Sequence, residues 1–389
     1  MKRVIVVADD LTGAAEIGGI ASRCGLLKTQ LRRFPLGGLA QAPITVIDTD
    51  SRHLVADEAA RRARKSIAGV ESLECDLIYK KTDSILRGRV RAELEAIMSA
   101  LGRRAALLVP QNPSRGRTVY GGEYGVDGVP LHLSEFSKDP IHPALTSNVV
   151  RLLGEPGLHA CRSLQVGEVV PTDGISIGDA MTAGDMRQWA KQVHRGMLAA
   201  GGADFFEAIL EQLGLACRAQ GMVQERHSVA GGRLIVCGST SASSRALVER
   251  ARVASVPVCP MPDNLFYGVE EHRASVEQWS AEIVTALIQI RRALVVIRQP
   301  VDPQPGASAR LEAVLAQVVA QVLSGVSATT LFVEGGATAS AVCRRMGWSD
   351  FAVEGEIARG IVQLRVASDP QQSLAVKPGS YTWPDSVLQ

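Results

Sequence analysis

The stretch VIVVADDLTGAAEIGG, residues 4–19, decides the fold. Its first part is short, β-branched and bounded by turn signals, which reads as a buried strand. Two adjacent acids, Asp9 and Asp10, stop that run. LTGAAEIGGIASRCG then reads as a helix entered through the Asp-Asp turn and closed at Gly25. An aspartate is a favoured helix N-cap, and its charge suits the helix dipole. Two acids in a row exceed what one cap needs. Two readings therefore stand together: a capped turn, and a pair of carboxylates presented at the end of a strand.

The rhythm repeats outward from there. ITVIDTD is a second strand that also ends in acids, and VADEAARRARKSIAGV is a helix with an alanine-rich inner face. CDLIYKKTDS is a third strand, VRAELEAIMSALG a helix and RAALLVPQNP a fourth strand. Alternation of this kind is the signature of a parallel sheet with helices on its faces. Residues 111–150 break the pattern with Gly, Pro and polar residues, and their scattered Tyr, Val and Leu predict an ordered excursion, a small hairpin over the sheet edge. AQGMVQERHSVAGGR (219–233) reads as a linker. A second α/β series follows: the strand RLIVCGS, the helix SVEQWSAEIVTALIQIRRA, the strands ALVVIRQP and TLFVEGG, and the helix ATASAVCRRMG. The first of those helices carries Val276, Trp279, Ile283, Leu287 and Ile290 on one face. The expected fold is α/β with two domains, 1–228 and 229–389, each a mainly parallel sheet flanked by helices, with a cleft between them.

Bulk properties agree with this. At 389 residues, two domains are the ordinary expectation. A hydrophobic content of 46% and a charged content of 21% are those of a globular chain that builds its own core. The net charge of +2 points to neither a nucleic-acid nor a membrane surface. The seven cysteines include no C-x-x-C pair, which argues against a disulfide framework or zinc ribbon and for a reduced, cytoplasmic setting. The apolar run in MKRVIVVADD is too short for a signal peptide, and no run approaches the roughly 18 apolar residues of a membrane span. The seven histidines show no metal-ligand spacing, and His132 and His142 read as surface or substrate-shell groups.

Ligands of open α/β sheets bind at the carboxyl ends of the strands. In the first half those ends carry Asp9-Asp10, Asp48 with Asp50-Ser51-Arg52, Lys80-Lys81-Thr82-Asp83-Ser84, and Gln111-Asn112, with Arg87 just beyond. In the second half they carry Gly238-Ser239-Thr240-Ser241 and Gly335-Gly336-Ala337-Thr338. The first set is charged and suits a polar, acidic small molecule and proton chemistry, although KKTDSILRG also reads as a solvated strand end. The second set is small residues at strand-to-helix turns, where exposed backbone N–H groups accept phosphate. VEGGATAS is neither a P-loop nor a G-x-G-x-x-G motif, and by itself it reads more readily as a plain tight turn. Together the two sets suggest phosphoryl transfer across a cleft.

ADDLTGAAEIG, KKTDSILRGRVRAEL and VPQNPSRGRTVYGGEYGVDGVPL with DPIHPALTSNV resemble the four-carbon acid sugar kinases, once a family of unknown function. DAMTAGDM and GGADFFEAI resemble that family's first-domain landmarks, and CGSTSASSRALV, VEGGATASAV and VKPGSYTWPD its nucleotide-domain landmarks. The likeness covers almost the whole chain, and the first-domain motifs are the longer and more specific. It implies an N-terminal acid-sugar domain, a C-terminal ATP domain, and transfer of the γ-phosphoryl group to the terminal hydroxyl of a C4 aldonate. Members act on D-threonate, L-threonate, D-erythronate or 3-oxo-tetronates, and DPIHP and ADFF look most like the D-threonate/D-erythronate branch. Two departures stand out. Ala337 replaces the usual Glu or Asp, and Ser380-Tyr381-Thr382-Trp383 replaces a Phe-Gly pair.

Phosphoryl transfer asks for positioning and charge neutralisation. Arg87, with Lys81 nearby, is the expected grip on the substrate carboxylate. Asp83 and Ser84 are expected to bond its hydroxyls. Asp10 or Asp9 is expected to orient the attacking hydroxyl and take its proton. Arg117 is a second cation for the transferring group. Ser239 and Ser241 are expected to face the nucleotide, Gly335, Gly336, Ala337 and Thr338 to form the phosphate turn, and Gly379 to line the pocket. Mg2+ is expected to bridge phosphate oxygens with few protein ligands, none of them assigned. Residues 219–232 are the expected hinge. The partners are an acid sugar and ATP, with no nucleic acid or membrane and with a homodimer left open. A sugar-acid binding or regulatory protein without catalysis is the non-enzyme alternative. A dehydrogenase lacks its dinucleotide fingerprint.

Overall fold

The computed structural model describes all residues except 1, 27, 39–41, 71–72, 140, 216, 218–231, 240, 269–271, 298–305, 327–328 and 380. The chain divides into two compact units, Met1–Ala219 and Gln220–Gln389. The boundary placed at residue 228 and nearly all of the expected hinge lie outside the described residues.

The first unit runs β1 (Val4–Ala8), α1 (Leu11–Arg23), β2 (Thr29–Arg33), β3 (Ile44–Asp48), α2 (Ala56–Ser66), β4 (Leu77–Lys81), α3 (Val90–Ala100) and β5 (Ala105–Val109). It continues with β6 (Arg117–Tyr120), β7 (Glu123–Val126), β8 (Val129–Pro130), α4 (Val149–Leu152), β9 (Cys161–Leu164), β10 (Gly174–Gly178), α5 (Ala183–Gln192), β11 (Met197–Gly201) and α6 (Ala203–Gln212). Its main sheet has the order β2-β3-β1-β4-β11-β5-β10-β9, and its pairings are parallel. Side chains alternate across such a sheet. Ile5 and Val7 enter one core with Ile47, Ile78, Leu94, Ile97 and Leu108. On β4, Tyr79 instead meets Phe205 and Phe206 of α6. Both faces are covered, so β1, β3, β4, β5 and β10 are buried from end to end.

The excursion after β5 is more than a hairpin: β6, β7 and β8 form a separate antiparallel sheet in that order. The strands β2, β9, β10 and β11 carry weaker local signals, and pairing with their neighbours defines them. The cysteines also differ from expectation. Cys24 and Cys217 form a disulfide although 193 residues separate them, a proximity that only folding creates.

The second unit contains β12 (Arg233–Cys237), α7 (Ala242–Val253), β13 (Val258–Pro260), α8 (Asp263–Tyr267), α9 (His272–Ile290), β14 (Arg292–Val296) and α10 (Ala307–Gly325). It ends with β15 (Thr330–Glu334), α11 (Gly336–Met346), β16 (Asp350–Ala358), β17 (Ile361–Val366) and β18 (Ser373–Lys377). The order is β13-β14-β12-β15-β18-β17-β16, parallel as far as β18 and antiparallel beyond it. On α9, Val276, Trp279, Ile283 and Leu287 are buried as expected, whereas Ile290 is 47% exposed because the helix ends there and its last turn leaves the core.

Candidate active site

In the first unit, chain order reverses at β1, which pairs β3 on one side and β4 on the other. Such a reversal opens a crevice above the carboxyl ends of the strands. The loop after β3 is stapled across it: Ser51 N and Arg52 N both donate to Asp9 O, at 2.9 and 3.2 Å. This places Arg52 between the two acids. Its Nε and Nη2 donate to Asp9 Oδ2 and Oδ1 at 2.8 and 3.1 Å, and its Nη1 and Nη2 donate to Asp10 Oδ2 and Oδ1 at 2.9 and 2.8 Å. Asp83 Oδ2 lies 3.7 Å from Arg52 Nη1. One planar guanidinium thus ties the ends of β1, β3 and β4 together.

The two acids divide their work. Asp10 is the N-cap of α1, accepting from Gly13 N at 2.9 Å and from the Thr12 hydroxyl at 2.5 Å. Asp9 is only 1% exposed. Burial pushes its carboxyl up, but Arg52 and Lys80 outweigh burial and hold it below the usual carboxylate range. The capped turn is tight: a Cβ on Gly13 would lie 2.7 Å from Asp10 Oδ1 and 3.3 Å from Lys81 Nζ. Gly88 has φ +93°, and a Cβ there would sit 3.3 Å from Arg52 O and 3.5 Å from Asp9 Oδ2.

Beneath this layer, Lys80 Nζ lies 3.2 Å from Glu93 Oε2, and Ser51 Oγ donates to the other oxygen of Glu93. Lys81 Nζ lies 3.5 Å from Glu16 Oε2 and donates to Thr82 O at 3.0 Å. Burial raises the Asp83 carboxyl, but Arg87, Arg52 and Arg117 prevail and hold it well below its ordinary value. Arg87 spends its fork on protein carboxylates: Nη2 reaches Asp83 Oδ2 at 2.9 Å and Nη1 reaches Asp139 Oδ2 at 3.0 Å. Arg117 donates to Ser84 Oγ and lies over the Phe136 ring, 5.4 Å from its centroid. Asp48 bonds Arg33 Nε at 2.9 Å, yet burial raises its carboxyl to about 6. His142 stacks on His53, with ring centroids 5.4 Å apart, and His132 Nδ1 lies 2.8 Å from Ser147 Oγ. Thr82 Oγ1 and Gln111 Oε1, at the ends of β4 and β5, are buried with no hydrogen-bond partner in the protein.

In this unit the structure gathers Asp9, Asp10 and Asp83 around Arg52, with Lys81 under the capped turn. Arg52 and Lys80 stand in the strand-end sets read from the sequence but receive no role there, and Glu93 and Asp139 carry no sequence signal of a role. Arg52 did stand at a strand end in TDSR, but only the fold reveals that its partners are 42 and 43 residues away.

In the second unit the reversal falls at β12, flanked by β14 and β15. Ser241 caps α7, accepting from Ser244 N at 3.2 Å. Gly335, φ +97°, precedes α11 as its N-cap, so Gly336, Ala337 and Thr338 form that helix's first turn. The two turns touch: a Cβ on Gly238 would fall 1.9 Å from Thr338 Oγ1. Gly379 joins them, its O accepting from Ser241 Oγ and Ser243 Oγ at 3.2 and 3.0 Å. A Cβ on Gly379 would lie 3.6 Å from Ser239 Oγ. All seven sequence-selected residues therefore occupy three neighbouring strand-end turns. Thr240 and Ser380 lie outside the described residues. Two helix N-termini and a glycine cradle suit a phosphate chain. Among the described residues no group of three or more His, Cys, Asp or Glu side chains could hold a metal, and no helix is long and apolar enough to cross a membrane.

Comparison with known proteins agrees with this division. The family model described as a sugar-binding N-terminal domain matches residues 4–209, and that of a nucleotide-binding C-terminal domain matches residues 234–381. A D-threonate kinase of Salmonella typhimurium is 27% identical over 92% of this chain and 89% of its own length. A 3-oxo-tetronate kinase of Methylobacterium radiotolerans is 28% identical over 96% of this chain and 95% of its own. A crystal structure from Salmonella typhimurium LT2 shares the fold, with a TM-score of 0.82 at 20% identity, covering 100% of this chain and 98% of that one. The chain belongs to the four-carbon acid sugar kinase family, with an N-terminal domain of the sugar-binding type and a C-terminal domain of the nucleotide-binding type.

Proposed function

We propose that this chain is an ATP-dependent kinase that phosphorylates the terminal hydroxyl of a four-carbon acid sugar, with D-threonate or D-erythronate as the acceptor. The observation that carries the reading is the Arg52 fork across Asp9 and Asp10 at the carboxyl end of β1. It fixes two carboxylates at a strand end, the place where ligands of open α/β sheets bind. Asp9 or Asp10 accepts a hydrogen bond from the attacking hydroxyl and takes its proton as the new bond to phosphorus forms. The buried Thr82 Oγ1 and Gln111 Oε1 offer further polar contacts to the substrate hydroxyls. Arg87, with Lys81 nearby, is the cation assigned to the substrate carboxylate, and Arg117 is a second cation for the transferring group.

The glycine turns of the second unit fit the nucleotide. Gly335, Gly336, Ala337 and Thr338 present backbone N–H groups at the start of α11, while Ser239, Ser241 and Gly379 close the other side. Mg2+ would neutralise charge on the phosphate oxygens, and it commonly takes most of its ligands from phosphate and water.

The test is ADP release with ATP and a panel of C4 aldonates: D-threonate, D-erythronate, L-threonate and a 3-oxo-tetronate. Asn caps a helix as well as Asp, so Asp10→Asn preserves the turn and removes the base. A drop of about 10²–10⁴-fold is expected if Asp10 is the base. Unchanged turnover would hand the role to Asp9. Sugar-acid binding without ADP release from the wild-type chain would favour the non-enzymatic binder.

A further inference from the structure

We propose that Lys377 is a positioning residue for the nucleotide. Its ammonium, anchored by Glu334, fixes the carbonyls of Pro378, Gly379 and Tyr381 beside the phosphate site. The inference rests on the nucleotide reading of the second unit.

Glu334 and Lys377 are register partners at the ends of β15 and β18. Both side chains are wholly buried, with Nζ 3.2 Å from Oε2. Glu334 is itself held by Ser244 Oγ and by the Cys237 thiol, whose Sγ is 3.6 Å away. Lys377 also shares its donors among the backbone carbonyls that follow it. Nζ donates to Pro378 O at 3.0 Å, Gly379 O at 3.3 Å and Tyr381 O. The Trp383 ring lies 5.8 Å from Nζ and shuts the far side.

The consequences reach all three turns of the site. Gly379 O, bound by Lys377, also takes the hydroxyls of Ser241 and Ser243 at the start of α7. Lys377 O accepts from Gly335 N at 2.9 Å, at the entrance to α11. The buried ammonium thus reaches the start of α7 through Gly379 O, while the backbone carbonyl of the same residue holds the entrance to α11. Burying a charge is expensive, and a pair replaced by neutral groups of similar volume often leaves stability unchanged. A pair needed only for packing could therefore be replaced without loss. A pair that aims three carbonyls could not, because those carbonyls would lose their donor.

That difference is measurable. ATP and D-threonate are titrated calorimetrically into the full chain as wild type, Lys377→Met, Glu334→Gln/Lys377→Met and Ser243→Ala, alongside thermal melts. Lys377→Met leaves Glu334 unpaired and is expected to lower Tm and to weaken ATP binding about tenfold or more. The double variant is expected to regain most of the Tm while still binding ATP about tenfold more weakly than wild type. D-threonate affinity is expected to stay within about twofold throughout. Wild-type ATP affinity in the double variant overturns the proposal. Should the double variant fail to fold, Ser243→Ala decides, since it removes one donor from Gly379 O and no charge. About two- to fivefold weaker ATP binding supports the proposal, and unchanged binding refutes it. Failure of the wild-type chain to bind ATP would instead bring down the nucleotide reading itself.

Discussion

Replacing Arg52 with methionine removes the cation that Asp9 and Asp10 share. The side chain is 12% exposed and makes four hydrogen bonds of 2.8–3.1 Å to the two carboxylates. Taking one partner from a buried ion pair costs about 3–5 kcal/mol, because the other charge stays buried and unpaired. For a unit of this size each kcal/mol shifts Tm by about 2–4 °C, so a fall of about 6–20 °C is expected near neutral pH. The pH dependence carries the sharper test. Asp9 has its pKa lowered in the folded chain, so its contribution to stability is present above its unfolded value of 3.8 and is lost as pH falls through the lower folded value. Without Arg52 that contribution vanishes, and burial favours the protonated acid. The gap in Tm between wild type and Arg52→Met is therefore expected to be widest near pH 7 and to shrink toward pH 3. Arg52→Lys restores one charge but cannot fork onto two carboxylates, so it is expected to regain part of the Tm and little of the turnover. Thermal melts across pH, paired with ADP release at each pH, measure both effects. A loss of Tm that is the same at pH 3.5 and pH 7.5, or no loss at all, refutes the reasoning.

Gly13→Ala, which in an ordinary helix interior gains about 1 kcal/mol, is expected here to lower both Tm and turnover, because the new Cβ would lie 2.7 Å from Asp10 Oδ1. Melting and steady-state kinetics check it, and a stabilised, fully active variant contradicts it. Gly238→Ala drives a methyl into Thr338 Oγ1, 1.9 Å away, and is expected to weaken ATP binding while sparing D-threonate binding, as read by calorimetry. Asp48, buried and raised to about 6 despite Arg33, favours its protonated form, so its contribution is fully present below 3.8 and is lost as pH rises through about 6. Relative to Asp48→Asn, wild-type Tm is expected to fall between pH 4 and pH 7, and a constant difference over that range would exclude this role.

Much of this protein is local, and local features can be read from the chain. VIVVA is a β-branched run buried along its whole length, Asp10 caps the helix that follows it, and Gly335 breaks the chain at the turn before α11. Strand ends, helix starts and the glycines between them obey short-range rules of sterics and backbone hydrogen bonding, so the α/β pattern and the candidate strand-end residues follow from sequence. Partner choice does not follow, because it depends on which segments the sheet brings side by side. Arg87 is expected from its chemistry to grip a substrate carboxylate, but that folding also brings Asp83 and Asp139 to its fork could not be read from the chain. Arg52 stood among acids without any local mark of its function, and it becomes the hub of the site only when β1, β3 and β4 lie together. The Cys24–Cys217 disulfide and the Glu334–Lys377 pair are likewise contacts between distant segments. Sequence alone determined which groups stand at the strand ends. Tertiary structure decided which of them meet, because a charge finds its lowest free energy with whatever opposite charge the packed sheet places within reach.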